Sequence, residues 1–138
     1  MEEDVVFFNH KKFFDDTIKM LRVQGKQAKK KTQLSCSYRL KEGGRVLKCA
    51  IGMHIPDDMY DPRMETKSAH TLCTNYPQFL DYLVEKYKEG GDKAYKNDVK
   101  WFLNELQSIH DCMFPQLIGN PEHYWFQLRA RYLNKKEG

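Results

Sequence analysis

The feature that most constrains the fold is a run of seven residues that alternates apolar and polar side chains, Leu34-Ser-Cys-Ser-Tyr-Arg-Leu40. Such alternation places one set of side chains on a buried face of a β-strand and the other set in solvent. A turn follows at Lys41-Glu-Gly-Gly44, and residues 45–51 form the return strand. The sequence therefore predicts an antiparallel hairpin over about 34–51.

Two registers of this hairpin fit the sequence. If all four residues of Lys41-Glu-Gly-Gly44 form the turn, Cys36 faces Cys49, and if Gly43-Gly44 alone forms it, Cys36 faces Ile51. A change of register alters which side chains oppose each other across the hairpin, but both of these registers place the same side chains on the buried face. The residues expected on the buried face are Cys36, Tyr38, Cys49 and Ile51.

The rest of the chain is mostly helical in its pattern. Apolar residues recur at helical spacing over about 9–24, 77–89, 93–113 and 121–134. Asn9 is a good N-cap for the first of these helices, and Gly25 suits its C-terminal end. At 138 residues, with 41% hydrophobic residues, the chain is long and apolar enough to bury one core. We predict a single α+β domain in which about four helices pack around one two-stranded hairpin.

Positive charge is concentrated in one part of the chain. The stretch from Arg22 to Lys48 holds nine basic residues and one acidic residue, and it includes a basic linker over 26–32 with Lys29, Lys30 and Lys31. Such a stretch can follow the phosphates of a nucleic acid or an acidic protein surface, or it can be a solvated linker. No zinc-finger, helix-turn-helix or RNP-like motif accompanies the charge.

A loop rich in proline and carboxylates follows the hairpin, over residues 55–65. Its prolines fix part of the backbone, and its apolar residues Met59 and Tyr60 lie between its four acids, Asp57, Asp58, Asp61 and Glu65. In one interpretation the loop packs on the hairpin, with Met59 or Tyr60 buried and Arg39 paired with a carboxylate. In the other, the carboxylates point outward to a basic partner.

The cysteines and histidines suggest two kinds of reactive site. Zinc takes four nitrogen or sulfur ligands in a tetrahedron, and the possible set is Cys36, Cys49, His70 and Cys73. A thiolate nucleophile could use Cys49 or Cys112 with His110 and Asp111. Cysteine on the apolar face of a strand is more often a small buried side chain, so we assign no catalytic residue and no cofactor. His110 remains a possible binding residue.

Nothing in the sequence indicates export or a membrane span. The first residues, Met-Glu-Glu-Asp, are acidic where a secretory signal is basic and then apolar. No apolar run approaches the ~20 residues that cross a bilayer. We expect a cytoplasmic protein with four reduced cysteines and no membrane partner.

Several short motifs in the first two thirds of the chain resemble a pattern found, in the same order, in a family of small phage and prophage proteins. The motifs are Gln24-Gly25, Cys36-Ser-Tyr-Arg39, Lys48-Cys-Ala-Ile-Gly52, Ile55-Pro-Asp57, Tyr60-Asp-Pro62, Met64-Glu65 and Lys67-Ser68, followed by Leu106-Gln107, His110-Asp111 and Trp125. The chain departs from the pattern at Thr66, where glycine is expected, and in its longer, lysine-rich linker. The resemblance implies a viral origin and a shared fold, and it carries no catalytic residue.

The function expected from these observations is non-enzymatic. The resemblance and the uneven charge favour a phage-encoded protein that binds and modulates a host or phage macromolecule in the bacterial cytoplasm, including as an inhibitor of host defence. Two alternatives stay open, a nucleic-acid-binding module that uses residues 22–48 and a small metal-dependent enzyme. The predicted binding residues are Arg39, Asp57, Asp58, Tyr60, Asp61, Glu65, His110, Lys29, Lys30 and Lys31.

Overall fold

The computed structural model describes residues 4–29 and 36–133, so the predicted positions Lys30 and Lys31 lie outside it. The fold is α+β, with five helices and two small antiparallel sheets over the described residues, one helix and one sheet more than predicted. The helices are α1 (His10–Gln24), α2 (Ala69–Asn75), α3 (Pro77–Lys86), α4 (Lys96–Gly119) and α5 (Pro121–Tyr132). The strands are β1 (Val5–Phe8), β2 (Leu40–Glu42), β3 (Arg45–Leu47) and β4 (Asp92–Tyr95).

The predicted ends of α1 are confirmed. The Asn9 side chain accepts a hydrogen bond from the Lys12 backbone N–H at 3.0 Å, and Gly25 ends the helix in the left-handed region at φ 84°. Residues in the first turn of a helix have no carbonyl partner within it, and a side-chain oxygen at the N-cap supplies one.

The hairpin is shorter than predicted. Its ladder runs only from Leu40 opposite Leu47 to Glu42 opposite Arg45, so the two-residue turn is correct and the four-residue turn is wrong. Gly43 and Gly44 both have positive φ, at 56° and 81°, and a two-residue hairpin turn that follows the twist of its strands needs this conformation. The residues on either side of β2 and β3 are irregular rather than strand.

The second sheet, formed by β1 and β4, was not predicted. Val6 lies opposite Ala94 and Phe8 opposite Asp92, and Phe8 is fully buried. Residues 93–95 were assigned to the start of a helix, but α4 begins only at Lys96. The segment Asp-Lys-Ala-Tyr has little intrinsic strand preference, and it pairs only because it meets β1 from the other end of the chain.

Short helix α2 was also missed. The Ser68 side chain accepts from the Thr71 backbone N–H at 3.2 Å and caps it, and Leu72 and Cys73 face the core. With seven residues it is too short to show a clear apolar period, so the Ser68 cap and Pro77 at the start of α3 were the available signals.

Helix α4 has a break near its C-terminal end. Met113 leaves helical geometry at φ −132°, ψ 37°, and Pro115 lies inside the helix two residues later. Proline has no N–H to donate to the carbonyl four residues earlier, here that of Asp111. The predicted end of this helix, at 113, coincides with the break, although helical structure resumes and continues to Gly119.

A cluster of aromatic rings between α1, α3 and α4 forms part of the core and encloses two histidines. His54 stacks on Phe13 with ring centroids 4.0 Å apart, and its Nε2 lies 2.7 Å from the Thr17 hydroxyl. His10 meets Phe102 edge-on at 4.7 Å. Burial lowers the pKa of His54 to about 3 and that of His10 to about 4, from 6.5. Both rings are therefore neutral in the folded protein at neutral pH.

These two histidines predict a loss of stability in mild acid. Between pH 6.5 and the lowered pKa values, the folded state binds fewer protons than the unfolded state. The two neutral histidines therefore make their full contribution to the free energy of unfolding above pH 6.5, and this contribution decreases as the pH falls through the window. We expect the free energy of unfolding to drop by about 2 kcal/mol per pH unit between about pH 6 and pH 4.

Urea denaturation at a series of pH values measures this slope. Asp16 and Lys86 act on His54, and Asp92 and Asp98 act on His10, so the slope is compared with that of a histidine variant in the same charge surroundings. His54→Gln should lower the free energy of unfolding at pH 8 and flatten its dependence on pH. His123→Gln, at an exposed position, should leave this pH dependence unchanged. A free energy of unfolding that stays constant from pH 7 to pH 5 would contradict the burial of His10 and His54 in their neutral forms.

Candidate functional site

The described residues contain one group of three or more metal-binding side chains close together, and it differs from the predicted zinc set. Cys36, His110 and Asp111 each place a ligand atom within 4.8 Å of the other two. Of the predicted set, only Cys36 belongs to this group. His70 instead lies 2.9 Å from Asn97 Oδ1, and the Cys49 thiol accepts from the Gly52 N–H.

The Cys36–His110–Asp111 cluster lies where the irregular segment before β2 crosses α4. His110 is fully buried, and its Nδ1 lies 3.3 Å from Asp111 Oδ1, while its Nε2 has no hydrogen-bond partner in the described parts of the chain. The Asp111 carboxylate is 18% exposed and Cys36 is half-buried, so the cluster has one side open to solvent.

Two glutamines that the sequence analysis did not select hold this cluster. Gln107 Nε2 donates to Asp111 Oδ1 at 2.7 Å, while its Oε1 accepts from the Ile51 N–H at 3.0 Å. Gln27 Nε2 donates to the His110 carbonyl at 3.0 Å and lies 3.6 Å from the Cys36 sulfur. It also reaches the Asp111 carbonyl at 3.4 Å, the group that the break in α4 leaves without its helical donor.

The thiols are not set up as nucleophiles. Burial raises the pKa of the Cys36 thiol to about 12, with a further contribution from the Asp111 charge and its hydrogen bond. Burial also raises the pKa of Cys49, and Cys112 lies exposed on the surface of α4 while His110 is buried. Because the thiolate is the reactive form, burial disfavours Cys36 and Cys49 as nucleophiles at neutral pH.

The loop over 55–65 docks on its own hairpin through Glu65. Its carboxylate accepts the backbone N–H groups of Tyr38 and Arg39, each at 3.0 Å, and the Tyr60 hydroxyl at 2.7 Å. Burial and the Glu65 contact raise the pKa of Tyr60 to about 12. The Glu65 carboxylate thus accepts hydrogen bonds from two backbone N–H groups, those of Tyr38 and Arg39, that have no neighbouring strand to supply acceptors.

Arg39 completes the docking of this loop. Its guanidinium pairs with Asp57 at 2.7 Å, donates to the Ile55 carbonyl at 3.0 Å and lies over the Tyr60 ring, 4.5 Å from its centroid. Met59 and Tyr60 are both partly buried against the core. The loop therefore follows the interpretation in which it packs on the hairpin, and of its carboxylates Asp57 and Asp58 are the ones that are exposed.

Basic residues from the charged stretch line a groove between α1 and the hairpin. The groove has a volume of about 590 Å³, with Met20, Val23, Val46 and Met53 as its apolar lining and Lys19, Arg45 and Lys48 as its basic lining. Val23 is 85% exposed and Val46 45% exposed. Lys19 was not selected from the sequence, because it belongs to the amphipathic pattern of α1 and not to the basic linker.

One side chain, that of Gln24, joins the two walls of the groove at its base. Gln24 Oε1 accepts from the Lys48 N–H at 2.9 Å, and Gln24 Nε2 donates to the Lys48 carbonyl at 2.9 Å. Arg45 then donates to the Gln24 carbonyl at 2.7 Å. The end of α1 and strand β3 are fixed to each other at this point.

A comparison with protein-family models, curated proteins and solved structures found no match for this chain. Among the described helices, none combines the length and the apolar character that a membrane crossing requires.

The docked loop yields a prediction at Glu65. Glu65→Gln replaces one acceptor oxygen with an NH₂ group that faces donors, so we expect a loss of about 2 kcal/mol in the free energy of unfolding. Asp58→Asn, in the same loop at an exposed position, should change it by less than about 0.5 kcal/mol. Urea denaturation at pH 7 measures both, and equal stabilities of the two variants would contradict the docking.

Thr66 yields a second prediction. It is the one non-glycine residue with positive φ, at 70°, over residues 4–29 and 36–133, and this conformation costs a β-branched side chain about 1–2 kcal/mol. Thr66→Gly should therefore raise the free energy of unfolding by about 1 kcal/mol after the entropy of the unfolded chain is included. Ser108→Gly, on the exposed side of α4, should lower it by roughly 0.5 kcal/mol. If Thr66→Gly destabilises the protein as well, the strain is absent.

Proposed function

We propose that this chain is a non-enzymatic binding protein whose groove between α1 and the hairpin receives an acidic, amphipathic segment of another protein. The observation that carries the proposal is the combination of an exposed apolar lining, Val23 and Val46, with basic residues in the same groove. An amphipathic helix in a groove is a common mode of peptide recognition, and its apolar face needs such a lining.

Charge supports an acidic partner. Lys19, Arg45 and Lys48 form no ion pair with any residue in the described parts of the chain, so their charges are available to a partner. Positive groups at the rim of an apolar contact raise the association rate with acidic partners and disfavour basic ones.

The lining favours a protein segment over a nucleic acid. Binding of single strands uses aromatic rings on which bases stack, and the groove contains methionine and valine instead. Tyr38, the ring closest in sequence to the basic residues of the hairpin, is 3% exposed and cannot stack on a base.

Preorganisation supports binding through this groove. The Gln24 side chain fixes α1 to β3, so the lining residues need little ordering when a partner arrives. Methionine side chains adapt to partners of different shape, and Met20 and Met53 give the groove this property. Such a protein suits the role that the resemblance to phage proteins implies, with a host or phage protein as its partner and the bacterial cytoplasm as its place of action.

Site-specific photo-crosslinking in bacterial cells tests the proposal. A benzophenone amino acid in place of Val23 should crosslink to a protein, and mass spectrometry of the crosslinked peptide should identify an acid-rich amphipathic segment. The same probe in place of Phe126, an exposed residue of α5 outside the groove, should not give this crosslink.

Charge reversal provides the matched control. Lys19→Glu should reduce the Val23 crosslink about tenfold, equivalent to 1.4 kcal/mol of binding. Lys93→Glu, at an exposed lysine of β4 outside the groove, should leave it unchanged. Crosslinks to nucleic acid, equal crosslinks from Phe126, or no effect of Lys19→Glu would each contradict the proposal.

A further inference from the structure

We propose that Cys36, His110 and Asp111 bind one zinc ion, or a divalent transition metal of similar preference, with water as the fourth ligand. The ligand atoms would be Cys36 Sγ, His110 Nδ1 and Asp111 Oδ1. This site is separate from the groove and does not depend on the function proposed above.

The spacing of the ligand atoms fits a tetrahedral metal. Zinc lies about 2.0–2.1 Å from nitrogen and oxygen ligands, so two such ligands at a tetrahedral angle are about 3.3–3.4 Å apart. His110 Nδ1 and Asp111 Oδ1 are 3.3 Å apart. The Cys36 sulfur lies within 4.8 Å of both, and with a zinc–sulfur bond of about 2.3 Å a bound zinc would place it about 3.6 Å from each of the other two ligand atoms.

The charges of the three ligands also match the ion. A thiolate and a carboxylate carry two negative charges, and the imidazole ligand is neutral, so a divalent cation leaves the site with no net charge. This balance matters because His110 is fully buried, and an uncompensated charge beside it would be costly. On binding, the Cys36 thiol gives its proton to solvent, as cysteine ligands of zinc do.

Hydrogen bonds already hold the Asp111 carboxylate, the Cys36 sulfur and the backbone of His110, whereas His110 Nε2 has no partner in the described residues. Gln107 donates to the oxygen of Asp111 that lies nearest His110, and Gln27 lies within reach of the Cys36 sulfur while it donates to the His110 carbonyl. Hydrogen bonds of this kind fix metal ligands in place, and their loss typically lowers metal affinity by about ten to a hundred times. The break in α4 contributes, because Pro115 leaves the Asp111 carbonyl without its helical donor and Gln27 reaches that carbonyl.

The open side of the cluster provides the fourth position. Asp111 is 18% exposed and Cys36 is half-buried, so the cluster borders solvent on the side of these two residues. Three protein ligands and a water form a four-coordinate zinc shell. The metal would join the irregular segment at Cys36 to α4, two parts of the chain that already meet through Gln27 and through the Cys36–Asp111 hydrogen bond.

Titration of the purified full chain with Co²⁺, after chelation and in the presence of a phosphine reductant, tests the proposal. A cobalt–thiolate charge-transfer band in the near ultraviolet should rise to one equivalent, with visible bands as intense as four-coordinate cobalt gives. Zn²⁺ should then displace the cobalt and abolish both. Absence of the thiolate band at saturating Co²⁺ would overturn the proposal.

Two variants and one control assign the ligands. Cys36→Ser should remove the band, whereas Cys112→Ser, at the exposed cysteine of α4, should retain it. If Cys36→Ser does not fold by circular dichroism, Asp111→Asn keeps an acceptor for Gln107 and should weaken cobalt binding at least tenfold. A band that survives in folded Cys36→Ser, that disappears in Cys112→Ser, or an unchanged affinity in Asp111→Asn would assign the metal elsewhere.

Discussion

The structure depends on side chains that satisfy the backbone of its irregular central segment. Between residues 36 and 68 only β2 and β3 form a ladder, yet much of this backbone is buried and its N–H groups need acceptors. Three side chains from outside the ladder supply them. Gln24 accepts from Lys48, Gln107 accepts from Ile51, and Glu65 accepts from Tyr38 and Arg39. Gly52 is part of the same constraint, because a Cβ there would lie 2.2 Å from the Tyr38 carbonyl oxygen.

The two sites follow from these anchoring bonds. Gln24 holds α1 against β3, and this contact forms the base of the basic groove. Gln107 links the segment at Ile51 to Asp111, and so places one ligand of the proposed metal site. A single set of polar contacts therefore determines both the shape of the groove and the geometry of the cluster. Loss of Gln107 would disturb the cluster, and loss of Gln24 would disturb the groove.

Local signals in the sequence predicted much of the fold, and non-local contacts account for what it did not predict. The N-cap at Asn9 and the turn at Gly43-Gly44 each depend on a few neighbouring residues, so the start of α1 and the turn of the hairpin could be predicted from the sequence. The pairing of β1 with β4 joins segments far apart in the chain, which no local pattern encodes. For the same reason the sequence grouped Cys36 with His70, whereas the structure places it beside His110 and Asp111. Gln24, Glu65 and Gln107 anchor the central segment, although no local pattern in the sequence assigned them this role.

Hydrogen exchange of individual backbone amides, followed by NMR at neutral pH, measures whether these side chains hold the central segment in place. If side chains anchor the segment, the amides of Ile51, Lys48 and Tyr38 are protected to an extent comparable with amides in the middle of α1, because each is released only by an opening that breaks the anchoring bond. The exposed amide of Asp58 should exchange freely by comparison. If the amides of Ile51, Lys48 and Tyr38 exchange as fast as that of Asp58, the anchoring bonds do not hold the segment and the account is wrong.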